Sequence, residues 1–411
     1  VNQNTSYFYE IRAYLNTSDG RFDISDSVFE IVINQSVATV LPRVTIYLQK
    51  LVFQLHMKNI DSIEIQILSD LNNGSPRFTD RYLLLPLEVN FDIMLDDSEK
   101  RLPSKEIIPI ETTILSCYKY ATKQKDTIIL FNTSISDIVQ KLITDENVLL
   151  KSNKLSNQKI EQIVIPSNDI NIMLQYVNYH FSFTKHANSL VLDYNLEKNK
   201  PEVCITDYDE ALKQGLYDTT IFVQVPSESN KQVDNVIGEV VKNPDRFIVT
   251  HYPVNFKNDT SNFAYNKIEY VYRPDKDLYK VYKKTFDSES IKYRNFSDVE
   301  NNVRQLFSSG KRVFQLSNFS GNDVQEDSVN SIIGNKLLFL GSCEVKIEQL
   351  ETLRKVWPGY IVNLTSVNTN LLNLLGLWVI GSMTYVYTRL KLPSWESYGE
   401  LILHRSNVLW K

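Results

Sequence analysis

The stretch IVIPSNDINIMLQYVNYHFSFTKHANSLVLDYN, Ile163–Asn195, decides how the rest of the chain is read. Ile163-Val164-Ile165 is a short β-branched run that Pro166 stops. Ser167 is placed to cap a helix, and Asp169 puts a carboxylate in its first turn, where free N–H groups and the helix dipole favour it. Ile170, Leu174, Val177 and Phe181 then fall at i, i+4, i+7 and i+11, one apolar stripe of an amphipathic helix. Asn188-Ser189 supplies turn chemistry before the strand Leu190-Val191-Leu192, which Asp193 bounds. A strand–helix–strand unit is expected here, and no catalytic signature lies in it.

Outward from this unit the chain is rich in strands. Up to residue 131 the pattern alternates with period two in Tyr7–Leu15, Phe29–Ile33, Val44–Leu55, Ile63–Ile67, Tyr82–Leu87, Val89–Leu95, Ile107–Tyr118 and Thr127–Phe131. Ile63-Glu64-Ile65-Gln66-Ile67 predicts one buried and one wet face. So many strands with so little helix read as a barrel or sandwich. The period then changes. Ile135, Ile138, Val139, Leu142 and Ile143 follow a helical spacing behind a capping box of Ser134 and Asp137. From 206 to 335, Asp218–Val225, Arg246–Val254, Tyr265–Tyr272 and Leu278–Phe286 read as strands among polar breaks, with a helical turn at Asn301–Phe307. Lys336–Leu340, Cys343–Ile347, Ile361–Val367, Leu374–Leu390 and Tyr398–Leu403 close the chain as strands, with a turn at Trp357-Pro358-Gly359 and bulges or close approaches marked by Gly376, Gly381 and Gly399.

The 411 residues, 43% hydrophobic and 23% charged, make an ordinary globular chain of several domains. A net charge of −5 argues against nucleic-acid binding, which needs surplus Lys and Arg to displace counterions. The basic tract Lys280–Lys284 reads as a solvated strand face. The three cysteines, Cys117, Cys204 and Cys343, are widely spaced and fit reduced, buried thiols made in a cytoplasm. The opening VNQNTSYFYEIRAYL has no signal-peptide pattern, and Leu371–Ile380 is too short to span a bilayer, so no membrane insertion is expected.

Catalytic chemistry is hard to place. There is no phosphate loop, Rossmann fingerprint, nucleophile elbow or HExxH helix. His180 and His186 bracket a helix end, where a capping role suits them better than a metal. Asp207 with Asp209, Glu344 with Glu348, and Asp96 with Asp97 are the local carboxylate pairs, but glycosidic cleavage needs two carboxyls across a cleft, which local spacing does not supply. No catalytic residue, metal or cofactor is therefore expected. All four tryptophans sit near the end of the chain. Trp357, Trp395 and Trp410 are the candidates for an interface, because Trp anchors protein contacts, while sheet packing is the alternative use of such rings.

Taken in order, four segments resemble the baseplate hub proteins of contractile-tailed phages, whose relatives form the N-terminal module of the type VI secretion spike protein. They are Phe29–Leu48 with the alternating Ile60–Leu68, Ser134–Leu142, Ile163–Tyr194, and Val356–Asn407 with Pro358-Gly359-Tyr360-Ile361-Val362 and Leu375–Ile380. The resemblance implies a mainly β chain with a small α/β part: two antiparallel β-barrel domains flanking a strand–helix–strand middle domain. The expected divisions are 1–131 for the first barrel, 132–205 for the α/β domain, 206–335 for strands and long loops that are partly insertion, and 336–411 for the closing barrel. It further implies a homotrimer in the virion baseplate, with the central spike protein below, the tail tube protein above, other baseplate proteins around it, and DNA passing through. Sequence-specific nucleic-acid binding is not expected. The other readings from residues alone are a β-rich enzyme that degrades cell wall or polysaccharide, and a tail adhesion module.

Overall fold

The computed structural model describes residues 9–50, 52, 60–68, 71–72, 75–76, 79–89, 107–144, 147–152, 154–157, 159–185, 187–213, 219–224, 247–251, 255–258, 267–272, 282–287, 311–315, 341–347, 357–365, 375–391 and 394–405. Its first part runs β1 (Glu10–Thr17), β2 (Gly20–Asp23), a 3₁₀ turn (Ser25–Ser27), β3 (Val28–Ser36), β4 (Thr39–Gln49), β5 (Ile60–Leu68), the short pair β6 (Leu71–Asn72) and β7 (Ser75–Pro76), β8 (Thr79–Val89) and β9 (Ile107–Ile114). These strands pair antiparallel in the order β3-β4-β9-β8-β5-β1-β2. Period two does its expected work on one side: Ile11, Ala13 and Leu15 are buried, as are Ile63, Ile65 and Ile67. The other side of β5 is not wet. Glu64 is only 3% exposed, covered by Arg21 at 3.3 Å and Arg81 at 2.8 Å. Burial alone would raise its pKa, but hydrogen bonds from Gln66 and Arg81 and the two guanidinium charges outweigh that and hold it below the ordinary value.

The chain then leaves the sheet through α1 (Leu115–Ala121), where the sequence pattern predicted a strand continuing to Tyr118. Cys117, Tyr120 and Ala121, at helical spacing, turn inward and are buried, and a short apolar run carries both periods equally well. After β10 (Gln124–Lys125) and β11 (Ile128–Ser134) comes α2 (Ile135–Ile143). Its capping box is present: Ser134 Oγ accepts from Asp137 N at 3.1 Å, and the Asp137 carboxylate accepts from Ser134 N. Ser134→Ala is expected to cost about 1 kcal/mol. An unchanged urea midpoint by far-UV circular dichroism would show that the cap contributes nothing.

β12 (Leu149–Ser152), β13 (Lys159–Ile165) and β14 (Asn168–Asp169) lead into α3 (Ile170–Phe181). The predicted stripe is the buried face, with Met173 added to Ile170, Leu174, Val177 and Phe181. The start of the helix differs from expectation by two residues. Asp169, not Ser167, occupies the cap position, and its carboxylate accepts from the Gln124 amide. Ser167 is diverted because its hydroxyl donates to Lys125 O at 2.8 Å, next to the β10–β14 pair. β15 (Asn188–Asn195) runs past Asp193 and pairs antiparallel with β16 (Lys200–Asp207), while β12 lies parallel on the other edge of β16. α4 (Tyr208–Lys213) follows.

The remaining strands are β17 (Thr219–Gln224), β18 (Phe247–His251), β19 (Asn255–Asn258), β20 (Lys267–Tyr272), β21 (Tyr282–Asp287), β22 (Lys311–Gln315), β23 (Gly341–Ile347), β24 (Ile361–Thr365), β25 (Gly376–Lys391) and β26 (Ser394–Arg405). β20, β21 and β22 form a sheet of their own. Six others pair in a closed cycle, β17-β18-β23-β26-β25-β24 and back to β17. The expectation of purely antiparallel pairing fails here, since β17 is parallel to both β18 and β24. The long connection between Gln224 and Phe247 gives room for the crossover that parallel strands require. The helical turn read at Asn301–Phe307 and the strand Lys336–Leu340 lie outside the described residues.

The hairpin β25–β26 joins the six-strand cycle to the N-terminal strands in one continuous 14-stranded sheet. The first part of β25 pairs with β24, and Ser382–Thr388 pairs with β3. The start of β26 meets the other end of the molecule through a bridge between Trp395 and Tyr9, just ahead of β1. The change of partner falls on Gly381, the extra residue of a bulge between Ile380 and Ser382. A Cβ there would meet the His404 ring at 2.1 Å. Beside it sits the predicted turn: Tyr360 N donates to Trp357 O, Gly359 takes φ +88°, and Gly359 N donates to Ile380 O at 2.7 Å. Pro then Gly at the two central positions is type II turn chemistry.

One apolar cluster runs through the N-terminal strands, the α/β unit and the closing strands. Alternation along β25 splits its two faces. Trp378 and Ile380 join that main cluster, whereas Val379 packs with Ile361 of β24, Ala187, and Tyr208 and Ala211 of α4. Among the described residues no helix is long and apolar enough to cross a membrane.

Candidate functional site

The residues singled out from the sequence do not assemble into a catalytic centre among the described residues. Asp207, 2% exposed, accepts from Glu210 N at 3.0 Å and so caps α4. The side chain of Asp209, together with Glu348 and Asp96-Asp97, lies outside the described residues, and so does His186. His180, in the last turn of α3, is half-buried between the rings of Tyr176 (4.5 Å) and Tyr179 (5.0 Å). Burial lowers its pKa, so at neutral pH it packs as an uncharged ring and gives the helix dipole little.

The tryptophans are differently placed. Trp357 is partly buried against the main core. Trp395 is 5% exposed, below the Arg389 guanidinium at 5.8 Å. That guanidinium also donates to Asp26 O at 2.9 Å and to the Asp26 carboxylate at 3.1 Å, fastening the 3₁₀ turn to the hairpin. Trp410 lies outside the described residues. Exposed apolar side chains sit elsewhere, three of them together on the β11–β13 ribbon. Ile129 and its cross-strand partner Val164 are 55% and 43% exposed, and Phe131 is 64% exposed.

Among the described residues, one group of acidic and thiol side chains converges on the face of β15–β16. Asp193 lies opposite Glu202 in the antiparallel register, and Cys204 follows Glu202 by two residues, on the same face. One ligand atom from each lies within 4.8 Å of the others. Asp193 is 1% exposed. Its Oδ1 accepts from Tyr194 N at 2.6 Å and from Gln35 Nε2 at 3.4 Å, and Cys117 Sγ donates to its carbonyl at 3.5 Å. Its Oδ2 is buried without a hydrogen-bond partner. Burial, with the Glu202 charge added, pushes the Asp193 carboxyl up to about 7, against the pull of Tyr194 N–H, Gln35 and Lys151. Burial and the same two carboxylates push the Cys204 thiol well up. The sequence reading treated Asp193 only as the end of a strand. The cluster depends on a cross-strand register, and the sole local signal is the Glu-x-Cys alternation in β16.

No protein-family model matches the chain, and no curated protein matches it. In three dimensions it is similar to the tail protein from Neisseria meningitidis MC58, with a TM-score of 0.58 and 9% identity over 98% of each chain. It is also similar to the 43 kDa tail protein of prophage MuSo2 from Shewanella oneidensis, with a TM-score of 0.49 and 9% identity over 97% of each chain. A third similarity is to a chain of the lidded Francisella PdpA-VgrG complex, with a TM-score of 0.48 and 12% identity, over 99% of this chain and 54% of that one. The fold is that of the Neisseria tail protein, and the likeness to tail proteins read from the residue pattern is found again in it.

Proposed function

We propose that this chain is a structural protein of a phage-type virion tail, the homotrimeric hub of the baseplate that joins the tail tube to the central spike around the DNA channel. The observation that carries this reading is the fold shared along nearly the whole of both chains with a tail protein. The six-strand cycle and the N-terminal strands, joined by one hairpin, fit a chain of two barrels with the α/β unit between them. In this reading the first barrel covers 1–131 and the middle domain 132–205. The second barrel draws on 206–335 and 336–411, and β25–β26 serves both. Three chains with two like barrels give six quasi-equivalent positions, the number needed to match a sixfold tube to a threefold spike. Trp357, partly buried, still has ring surface to offer a neighbouring chain, whereas Trp395 is spent inside its own. The chain acts as a scaffold, not an enzyme.

The test is the oligomeric state of the purified chain, alone and mixed with the spike partner. Light scattering should give three times 47.7 kDa, and negative-stain images should show a threefold ring. A chain that stays monomeric at micromolar concentration even with the spike present, or one that turns over cell-wall glycans, would overturn the reading.

A further inference from the structure

We infer that Asp193, Glu202 and Cys204 form a binding site for a single divalent ion of the zinc class, a function that stands independently of the tail role. The donor set comes first. Two carboxylates and one sulfur within 4.8 Å of one another are more than a surface acidic patch, since Asp193 is 1% and Cys204 4% exposed. Hard ions such as Mg²⁺ and Ca²⁺ take oxygen only, whereas Zn²⁺ accepts thiolate and carboxylate together, with donors about 3.5 Å apart at its usual bond lengths. Cys204 Sγ and Glu202 Oε2 stand 3.9 Å apart, already near that spacing.

The second observation is the vacancy in the hydrogen bonding. A buried carboxylate oxygen without a partner is costly, and Asp193 Oδ2 is one. Its other oxygen is already fixed by Tyr194 N and Gln35, so the carboxylate is held in place before an ion arrives. Lys151, the neighbour of Cys204 across the parallel pair, does not fill the vacancy; its ammonium bonds the Tyr360 hydroxyl and lies 3.7 Å from that ring's centroid. Glu202 is the one member with partial exposure and supplies the route of entry. Binding releases the thiol proton of Cys204, and the proton of the Asp193 carboxyl where it is protonated, to solvent and leaves a thiolate and a carboxylate on the ion. The ion would then tie β15 to β16, with Gln35 linking the same carboxylate to β3.

The full chain, stripped with chelator and desalted, is titrated with Co²⁺ as a spectroscopic stand-in for Zn²⁺. A thiolate-to-cobalt band in the near ultraviolet should saturate at one ion per chain and collapse on adding Zn²⁺, with a Kd for zinc of about 1 µM or tighter. Cys204→Ser should abolish the band, and Cys117→Ser, at a core thiol whose hydrogen bond to this group goes to the Asp193 carbonyl and not to its carboxylate, should keep it. Glu202→Gln, at a partly exposed position, should fold normally and weaken binding by about 10- to 100-fold; this variant carries the test if Cys204→Ser fails to fold. A folded wild-type chain that shows no band at about 1 mM Co²⁺ would overturn the site. A band unchanged in Cys204→Ser, or affinity unchanged in Glu202→Gln, would do the same.

Discussion

Trp378→Ala should cost about 3–5 kcal/mol, the range for removing a fully buried large aromatic side chain. Trp378 is 1% exposed and is the largest fully buried side chain among the described residues. It stands on β25 opposite Val362 of β24, on the face that joins the main cluster. Alternating residues of the other strands in the six-strand cycle share that cluster: Val362 and Leu364, Leu401 and Leu403, Val345 and Ile347, and Ile221. Close packing gives the neighbours little freedom to collapse into the space an indole leaves, so the cavity term adds to the lost transfer energy. The urea midpoint by far-UV circular dichroism should fall steeply in Trp378→Ala and much less in Trp378→Phe, which keeps an aromatic ring. Equal, small shifts in both variants would mean that the packing of these strands does not depend on the indole.

Gly381→Ala should cost about 2–3 kcal/mol, large for one methyl group. The bulge places Gly381 against His404 of β26, where an added Cβ would lie 2.1 Å from ring carbon Cδ2 and 2.3 Å from Nε2. At that distance the ring must leave its position. Gly381 O also accepts from Val37 N at 2.9 Å, so displacement of the backbone would loosen the end of β3 as well. The diagnostic variant is Gly381→Ala/His404→Ala. Removing the ring should recover most of the loss beyond what His404→Ala costs alone, a coupling that double-mutant cycles measure directly. Additive costs would remove the clash as the explanation.

The parts of the molecule that were legible in the sequence share one property: their signals are local. The α2 helix has its capping box and its five-residue stripe within ten positions, and the α3 stripe is as compact. Trp357-Pro358-Gly359 declared its turn by composition, because Pro fixes one central position and Gly permits the positive φ of the next. What could not be read was pairing at a distance. Nothing in Ser382–Thr388 says that its partner is Glu30–Ser36, and nothing in Thr219–Gln224 distinguishes a parallel neighbour from an antiparallel one. The Asp193 cluster failed to show for the same reason, since Asp193 meets Glu202 through register and Gln35 through tertiary packing. Glu64 looked wet because its strand alternates, and the arginines that cover it come from β2 and β8. The Leu115–Ala121 helix was missed through a true ambiguity of period in a short apolar run.

The shared hairpin also sets an order in time. A ribosome adds about 5–20 residues per second, so the strand that covers the free edge of β3 is finished some tens of seconds after β3 itself. Until then the N-terminal strands present an open edge at β3, and Tyr9 lacks its bridge to Trp395. Unpaired edges invite pairing with other chains. The N-terminal sheet therefore completes its pairing only after translation reaches β25 and β26, and during that interval the nascent chain depends on dilution or on chaperones to stay unpaired.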